Sequence, residues 1–175
     1  MTRPSHRLAL AVVLSWMMTG CSSVPGTPSG SDADGLVVSR AIVEEVVDGD
    51  TVRMRVDGDV ESVRLLGIDT PETRHPTKPV ECFGPQASAA LGALLPEGMQ
   101  VRIERDIESR DAYGRLLLYV FVVGPTSEVF VNLALVRHGF ARSLIIEPNV
   151  RYAESLVNAA FDAQRNDRGL WRYCK

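Results

Sequence analysis

The sequence has little of what several common protein classes require. Acidic residues outnumber basic ones, 22 Asp and Glu against 19 Lys and Arg, so the formal net charge is −3. A chain of this charge does not bind nucleic acid through bulk positive charge. Three cysteines are too few for a disulfide scaffold, and their odd number means that they cannot all pair with one another. No cluster of histidines and cysteines has the spacing of a zinc site, which excludes zinc on the ligands available.

The sequence also lacks an apolar run long enough to cross a membrane comfortably. The first seven residues contain two arginines and no acid, and an apolar run from Leu8 to Gly20 follows. A membrane-spanning helix needs about 20 apolar residues, so this shorter run indicates a signal peptide over residues 1–20. Small residues precede Cys21, as in a bacterial lipoprotein signal, and we expect Cys21 to carry the lipid. An ordinary secretory signal with a coincidental cysteine is the alternative.

The composition predicts one folded domain behind a tether. Residues 21–40 are mostly small and polar and contain several Pro and Gly, which is typical of a flexible tether. The chain is 45% hydrophobic and 23% charged, so it can bury a core, and residues 41–175 show no repeat or second boundary. Either type of signal places the mature chain outside the cytoplasm. We therefore expect an extracytoplasmic protein, either lipid-anchored to the cell membrane or secreted.

Short β-rich runs separated by turn residues dominate the first part of the domain. Residues 51–56 alternate apolar and polar and end at Asp57-Gly58, a strong hairpin signal. The pattern predicts five strands, and they span Val43–Val47, Thr51–Val56, Val60–Leu66, Gln100–Asp106 and Leu116–Val123.

Three helices complete the expected fold. The first begins near Pro85 and ends before Pro96, and the second spans Val131–His138 and ends at Gly139. The third spans about Val150–Asn166, with an apolar face predicted at Ala153, Leu156, Val157, Ala160 and Phe161. Five strands that close early, with three helices packed around them, predict an α+β protein with an OB-type β-barrel.

The polar residues that could carry chemistry lie in three short stretches, Asp48–Thr51, Arg64–Glu72 and Asp111–Arg115. Each alone is ordinary, because Asp-Gly marks a turn and loop polar residues are common. Together, two carboxylates and a backbone carbonyl suit a hard cation such as Ca²⁺, although the spacing is not that of an EF-hand. Two arginines offer paired donors to phosphate oxygens, and a glutamate can orient or deprotonate water. This is the set that hydrolysis of a phosphodiester requires.

In their order and separations these stretches resemble the staphylococcal nuclease family. The resemblance extends from about residue 41 to Trp171 and includes Phe83–Ser88, Ala134–Ala141 and Gly169–Trp171. It implies an OB-fold barrel and a Ca²⁺-dependent endonuclease that hydrolyses single- or double-stranded DNA and RNA to 3′-phosphate products. Nucleic acid would then be the substrate, Ca²⁺ the cofactor and a monomer the expected state.

The resemblance also implies a role for individual residues of the metal and water site. Asp50 and Asp69 stand at the positions of the family's carboxylate ligands for Ca²⁺, and the backbone carbonyl of Thr70 at that of a third ligand. Glu72 stands where the family has the residue that orients water and serves as general base.

The substrate-binding positions match the family in part. Arg64 and Arg115 stand at the positions of its two phosphate-binding arginines, and Tyr113 at that of a tyrosine that contacts substrate. Ala112 replaces a basic residue of the best-known member, and the segment around Glu147 lacks a base-stacking aromatic and is acidic where that member is basic. A lost stacking platform removes about 1–3 kcal/mol per base. We therefore expect weaker substrate binding with the catalytic step retained.

The cysteines and the remaining functions complete the expectations. We expect Cys82 and Cys174 to form a disulfide, because such bonds persist in an oxidising compartment; two separate thiols are the alternative. A lipid on Cys21 would then account for the odd count. A non-catalytic OB-fold module that binds nucleic acid at the cell surface is the second function considered, but degenerate relatives lose the carboxylates or arginines that this chain keeps. A calcium-binding structural lipoprotein is the third, and it would not need two placed arginines.

Overall fold

The computed structural model describes residues 38–74, 77 and 79–174. The predicted signal peptide, Cys21 and most of the predicted tether lie outside these residues, so the expectations that concern them stay predictions. None of the helices in the described part of the chain combines the length and the hydropathy that a membrane crossing needs.

A closed five-stranded barrel forms the centre of the fold. In the main sheet the strands are ordered β3-β2-β1-β5-β6-β7, and a parallel pairing between β3 and β6 closes the barrel. A second sheet holds β4 and β8 alone. In the described part of the chain the strands span Val38–Val46 (β1), Thr51–Val56 (β2), Asp59–Leu65 (β3), Ile68–Asp69 (β4), Gln100–Glu104 (β5), Leu116–Val123 (β6), Glu128–Phe130 (β7) and Arg142–Ser143 (β8). The predicted OB-type α+β fold is confirmed.

The first hairpin shows why the sequence predicted the barrel well. Val52, Met54 and Val56 point inward and are at most 3% exposed, while the arginines between them face solvent. Asp57 and Gly58 both have positive φ, +53° and +100°, as the twist of a tight β-hairpin requires. The alternation and the turn therefore specify the same register.

Residues 38–174, where described, form four helices, and the short last one was not predicted. They span Gly84–Leu94 (α1), Val131–Arg137 (α2), Ala153–Arg165 (α3) and Leu170–Tyr173 (α4). Pro85 lies in the first turn of α1 as expected, since its fixed φ suits that position. Gly139 follows α2 with a φ of +73°, which confirms the predicted left-handed cap.

The third helix begins later and buries a narrower face than predicted. Residues 150–152 form a turn in which the Ala153 N–H donates to the Val150 carbonyl, so α3 starts at Ala153. The buried stripe consists of Leu156, Ala160 and Ala163, while Val157 and Phe161 are 47% and 61% exposed. Each helical step turns the side chain by about 100°, which carries these two residues away from the core.

Strand pairing brings the three polar stretches to one edge of the barrel. The register of β2 and β3 pairs Thr51 with Arg64, so Asp50 precedes the residue opposite Arg64. The parallel pairing of β3 and β6 sets Arg64 beside Leu117, shortly after Arg115. The pairing of β4 and β8 sets Asp69 opposite Arg142.

Candidate active site

Arg64 lies between the two carboxylates predicted to bind metal. Its Nη2 atom is 3.1 Å from Asp50 Oδ2 and 3.2 Å from Asp69 Oδ1. Its Nη1 atom donates to the carbonyls of Leu65 and Ile68, both at 2.8 Å. The guanidinium side chain is 14% exposed and is held at the end of β3 by three hydrogen bonds, to Leu65, Ile68 and Asp69, and by the ion pair with Asp50.

Thr70 connects this group to the loop before β2. Its backbone N–H and its hydroxyl both donate to Asp50 Oδ2, at 3.1 and 3.0 Å, and the Thr51 hydroxyl donates to the other oxygen at 3.0 Å. A Cβ added at Gly49 would lie 2.7 Å from Thr70 Oγ1. Only glycine at this position lets the two loops approach closely enough for Asp50 and Thr70 to meet.

Glu72 lies in a second group, beside an acid to which the sequence assigned no role. Asp48 is 9% exposed and accepts hydrogen bonds from the Gly49 N–H at 2.7 Å and the Thr73 hydroxyl at 2.6 Å. Burial works to raise the pKa of Asp48, but its hydrogen bonds to Glu72, Thr73 and Gly49 outweigh burial and hold the pKa below its usual value. The bond to Asp48 raises the pKa of Glu72. The signal for Asp48 was its place in the same turn as Asp50.

Arg115 and Tyr113 form a third group, organised by Asp111. The Asp111 carboxylate accepts from Arg115 Nε at 2.7 Å and from the backbone N–H groups of Arg115 and Tyr113 at 2.9 and 3.0 Å. The Arg115 guanidinium lies 5.5 Å from the centre of the Tyr113 ring. Burial alone would raise the pKa of Asp111, but the bonds from Arg115 dominate and lower it. The sequence analysis included Asp111 in this motif but did not predict that it orients Tyr113 and Arg115.

A cavity of about 390 Å³ brings the two arginines to one surface. Arg64 and Arg115 both line it, as do Tyr113 and the aliphatic side chains of Leu144 and Ile146. Tyr113 is 86% exposed and Ile146 is 64% exposed, so both are accessible to a ligand. The structure thus brings Arg64, Arg115 and Tyr113 together around one cavity. Asp50 and Asp69 contact Arg64, and Thr70 contacts Asp50. Glu72 is linked to this group only indirectly, through Asp48 and Gly49.

The oxygen donors suit a hard divalent cation in kind. Asp50 Oδ2 and Asp69 Oδ1 converge on one positive group, here Arg64 Nη2, and Ca²⁺ also requires convergent oxygens. Burial raises the pKa of Asp69, and the nearby charge of Asp50 adds to this effect against the opposing charge of Arg64. Within residues 38–74, 77 and 79–174, no three acidic, histidine or cysteine side chains cluster as a metal site. Two carboxylates, those of Asp50 and Asp69, converge on Arg64.

The predicted disulfide is present. Cys82 and Cys174 are bonded, with their Cα atoms 5.8 Å apart, and the bond joins the segment before α1 to the residue that follows α4.

Known proteins are similar in sequence to most of this chain. The family described as staphylococcal nuclease homologue matches residues 62–173. The thermonuclease of Staphylococcus intermedius is 36% identical over 164 residues, which cover 94% of this chain and 93% of the relative. The thermonuclease of Staphylococcus hyicus is 37% identical over 129 residues, 74% of this chain and 73% of the relative. Endonuclease YncB of Bacillus subtilis is 32% identical over 148 residues, 83% of this chain and 67% of the relative.

The fold and the site define an OB-barrel protein with paired arginines and carboxylates at one edge of the barrel. The chain belongs to the staphylococcal nuclease family. It is therefore a nuclease, a metal-dependent hydrolase that acts on nucleic acid, and the non-catalytic binding module is set aside.

Proposed function

We propose that the protein is a Ca²⁺-dependent endonuclease that hydrolyses phosphodiester bonds of DNA and RNA, single- or double-stranded, to 3′-phosphate products. The observation that carries the proposal is the position of Arg64, which contacts Asp50 and Asp69 and also lines the cavity shared with Arg115. A phosphate bound by the two arginines would lie next to the carboxylates.

The two arginines would bind the phosphate and stabilise its transition state. Arg64 is fixed by three hydrogen bonds and an ion pair, and Arg115 by Asp111, so neither guanidinium has to be ordered when substrate binds. Donors positioned before the reaction stabilise developing negative charge more than mobile ones do. We assign Arg64 to the pentacoordinate phosphorus and Arg115 to that charge and to the departing 5′ oxygen.

Asp50, Asp69 and the Thr70 carbonyl would hold the cation. Bound Ca²⁺ supplies Lewis-acid polarisation of the phosphate and a lower pKa for a coordinated water. The carboxylate of Asp50 is anchored by Thr70 and Thr51, which fixes the direction of its oxygens. Glu72 would orient the attacking water and take its proton.

Tyr113, Leu144 and Ile146, which line the cavity, would bind the nucleoside beside the phosphate. Leu144 and Ile146 are aliphatic, so Tyr113 is the aromatic side chain that lines the cavity and could stack on a base. Each missing stacked base removes about 1–3 kcal/mol of binding free energy. We expect a higher KM than that of a basic, aromatic-lined family member at equal salt, with a similar kcat.

Digestion of plasmid DNA and of RNA by the protein tests the proposal. Cleavage of both substrates with Ca²⁺, its loss with a chelator, and 3′-phosphate ends on the products would support it. Glu72→Gln is expected to lose about 100- to 10,000-fold in kcat, the usual contribution of a general base, and to keep a measurable residual rate. Glu97→Gln, which changes an exposed acid outside the site, provides the matched control. Full activity in chelator or in Glu72→Gln would overturn the assignment of metal and water.

We also propose that the mature protein is an extracytoplasmic monomer, anchored through a lipid on Cys21. The apolar run from Leu8 to Gly20 and the disulfide, which persists in oxidising compartments, support this location. Mass spectrometry of the cell-associated protein should show a lipidated Cys21 as the first residue, and Cys21→Ser should release the protein from membranes. An unmodified Cys21 in a cell-associated mature chain contradicts the anchor.

A further inference from the structure

The Cys82–Cys174 disulfide lies close in sequence to the loop that carries Glu72, and nothing in the proposed chemistry uses it. Cys82 immediately precedes Phe83, the residue that caps the N-terminus of α1. The bond connects this position to the residue after α4, across a sequence separation of 92. The disulfide therefore attaches one end of the Glu72 loop to the C-terminal helix.

Phe83 reinforces the same attachment. Its ring is stacked on Phe140 on one side and on Tyr173 on the other, with both pairs of ring centres 5.7 Å apart. Its φ is +71°, a left-handed conformation that bulky residues keep only where the surroundings impose it. Tyr173 and Cys174 are neighbours in sequence, so the stack and the disulfide join the same two segments.

Glu81 transmits this attachment to Glu72. The Glu72 N–H donates to Glu81 Oε2 at 3.2 Å, and the Glu81 N–H donates to the Glu72 carbonyl at 2.9 Å. A Cβ added at Gly84 would lie 3.0 Å from the Pro71 carbonyl and 3.1 Å from the Glu72 carbonyl, so α1 packs directly against this backbone. Glu72 is thus held from the Cys82 side as well as from the Asp48 side.

We propose that Glu81, Cys82, Phe83 and Cys174, which we call the loop clamp, position Glu72 for the hydrolytic step. The inference rests on the proposed function, in which Glu72 orients and deprotonates water. The loop clamp would make turnover depend on an intact disulfide, so the enzyme would be fully active only where the bond is oxidised.

The arginine site distinguishes positioning of Glu72 from a general effect on the fold. Arg64 is held by Asp50, Asp69 and the carbonyls of β3 and β4, and Arg115 is held by Asp111. None of these hydrogen bonds and ion pairs involves the loop clamp, although the charge of Glu81 acts on Asp69 and works to raise its pKa. Glu81→Ala and Glu81→Gln both remove that charge, so a comparison of the two variants isolates the hydrogen bond to the Glu72 N–H. Loss of the loop clamp should therefore lower kcat and leave KM nearly unchanged. A shift of about 1 Å in a catalytic group can cost about a hundredfold in rate, and we expect a ten- to hundredfold loss.

The first experiment compares kinetics with and without the disulfide. Cys82→Ser/Cys174→Ser is made in the wild-type protein and in Glu72→Gln, and kcat and KM are measured well below the melting temperature. The double serine change should lower kcat in the wild type and have no further effect in Glu72→Gln, because coupled residues give non-additive effects. Val56→Ala, at the far end of the β2–β3 hairpin from Asp50, is the control for lost stability alone and should keep the wild-type kcat.

A second pair of variants keeps the disulfide and changes only the link to Glu72. Glu81 is exposed, so its substitution should not disturb folding. Glu81→Ala removes the acceptor for the Glu72 N–H and should lower kcat with little change in KM. Glu81→Gln retains an acceptor oxygen and should restore most of the activity.

The outcomes separate the loop clamp from the proposed function. If Glu72→Gln is strongly impaired while the double serine variant and Glu81→Ala keep the wild-type kcat, the loop clamp is refuted and the role of Glu72 stands. Equal losses in the wild type and in Glu72→Gln refute the loop clamp as well, because the disulfide would then act elsewhere. Full activity of Glu72→Gln refutes the assigned role of Glu72 itself.

Discussion

At the scale of single residues, Arg64 is the side chain on which the site depends. It contacts both candidate carboxylate ligands and two backbone carbonyls, and it lines the cavity that Arg115 also lines. A planar guanidinium with several donors can satisfy these acceptors and still present nitrogen to a phosphate, whereas an ammonium group cannot.

Arg64→Lys is expected to reduce kcat about 100- to 1000-fold, the usual cost of removing one preorganised donor from a transition state. Steady-state hydrolysis of a defined oligonucleotide measures the effect. Arg53→Lys, an exposed position on β2 paired only loosely with Glu45 at 3.8 Å, is the control and should retain full activity. Near-normal turnover of Arg64→Lys would remove this residue from the transition state.

Asp69→Asn is expected to weaken Ca²⁺ binding by about 100-fold or more. Loss of a residue that only hydrogen-bonds a metal ligand already costs about 10- to 100-fold, and Asp69 is proposed as a ligand itself. The reason is that a neutral amide replaces one of only two converging carboxylates. Calorimetric titration with Ca²⁺ checks it without reference to activity. An unchanged dissociation constant would place the cation elsewhere.

At the scale of elements, the edge strand β7 was not predicted from the sequence, and side-chain contacts attach it to the rest of the sheet. Arg102 of β5 makes two bonds to the Glu128 carboxylate, at 2.6 and 2.7 Å, reaching past β6 between them. The same guanidinium contacts Glu104 and lies 3.9 Å from the centre of the Phe121 ring. The Tyr152 hydroxyl, in the turn before α3, donates to Glu104 at 2.7 Å. β7 is thus held by an ionic and aromatic network.

This network predicts an acid-sensitive contribution to stability. The hydrogen bonds from Arg102 hold the pKa of Glu128 below its ordinary value of 4.5. A depressed pKa stabilises the folded state above the unfolded pKa, and the contribution is lost as the pH falls through the folded value. The melting temperature of the wild type should therefore exceed that of Glu128→Gln at about pH 7 and approach it at about pH 3. The exposed Glu97→Gln should show no such convergence, and a gap between wild type and Glu128→Gln that is constant with pH would contradict the role of ionisation.

The disulfide belongs to the same scale, because it joins the start of α1 to the end of α4. A crosslink across a separation of 92 residues restricts the unfolded chain by about 4–5 kcal/mol in the chain-entropy estimate. Denaturant unfolding of Cys82→Ser/Cys174→Ser should show a loss of about this size in the free energy of unfolding. A loss below about 1 kcal/mol would mean that native strain offsets the crosslink.

At the scale of the whole molecule, the acidic balance and the nucleic-acid substrate are compatible. Removal of residues 1–20 would delete two arginines and no acid, leaving 22 acidic and 17 basic residues. Several basic side chains are also neutralised within the fold, as Arg110 is by Glu61 at 2.6 Å. In the proposed function, substrate phosphate would therefore be bound by a few placed arginines and a cation, not by a basic surface.

The salt dependence of binding follows from this charge distribution. Each neutralised phosphate contributes about −0.9 to the slope of log K against log salt on duplex DNA, so two arginines give about −2. Fluorescence anisotropy of Glu72→Gln with labelled duplex, at constant Ca²⁺ and varied monovalent salt, measures the slope. A slope steeper than about −4 would reveal a larger basic footprint than the site contains.

The parts of the fold that the sequence predicted are those set by local chemistry. Alternation from Val52 to Val56, the Asp57-Gly58 turn and Pro85 at the start of α1 each act within a few residues. The two-residue strands β4 and β8 exist only because they pair with each other, so no local pattern marks them. The outward position of Phe161 likewise depends on how α3 lies on the barrel.

The amino-acid sequence by itself determined which chemistry is available: two carboxylates, two arginines and a glutamate in three short motifs. It also determined the family, because those motifs recur in order and at fixed separations. Only the tertiary structure decided that Arg64 lies between Asp50 and Asp69, that Asp48 supports Glu72, and that a disulfide with a stacked Phe83 fixes the far end of the same loop. These contacts join residues distant in the chain, and closure of the barrel and packing of the helices create them.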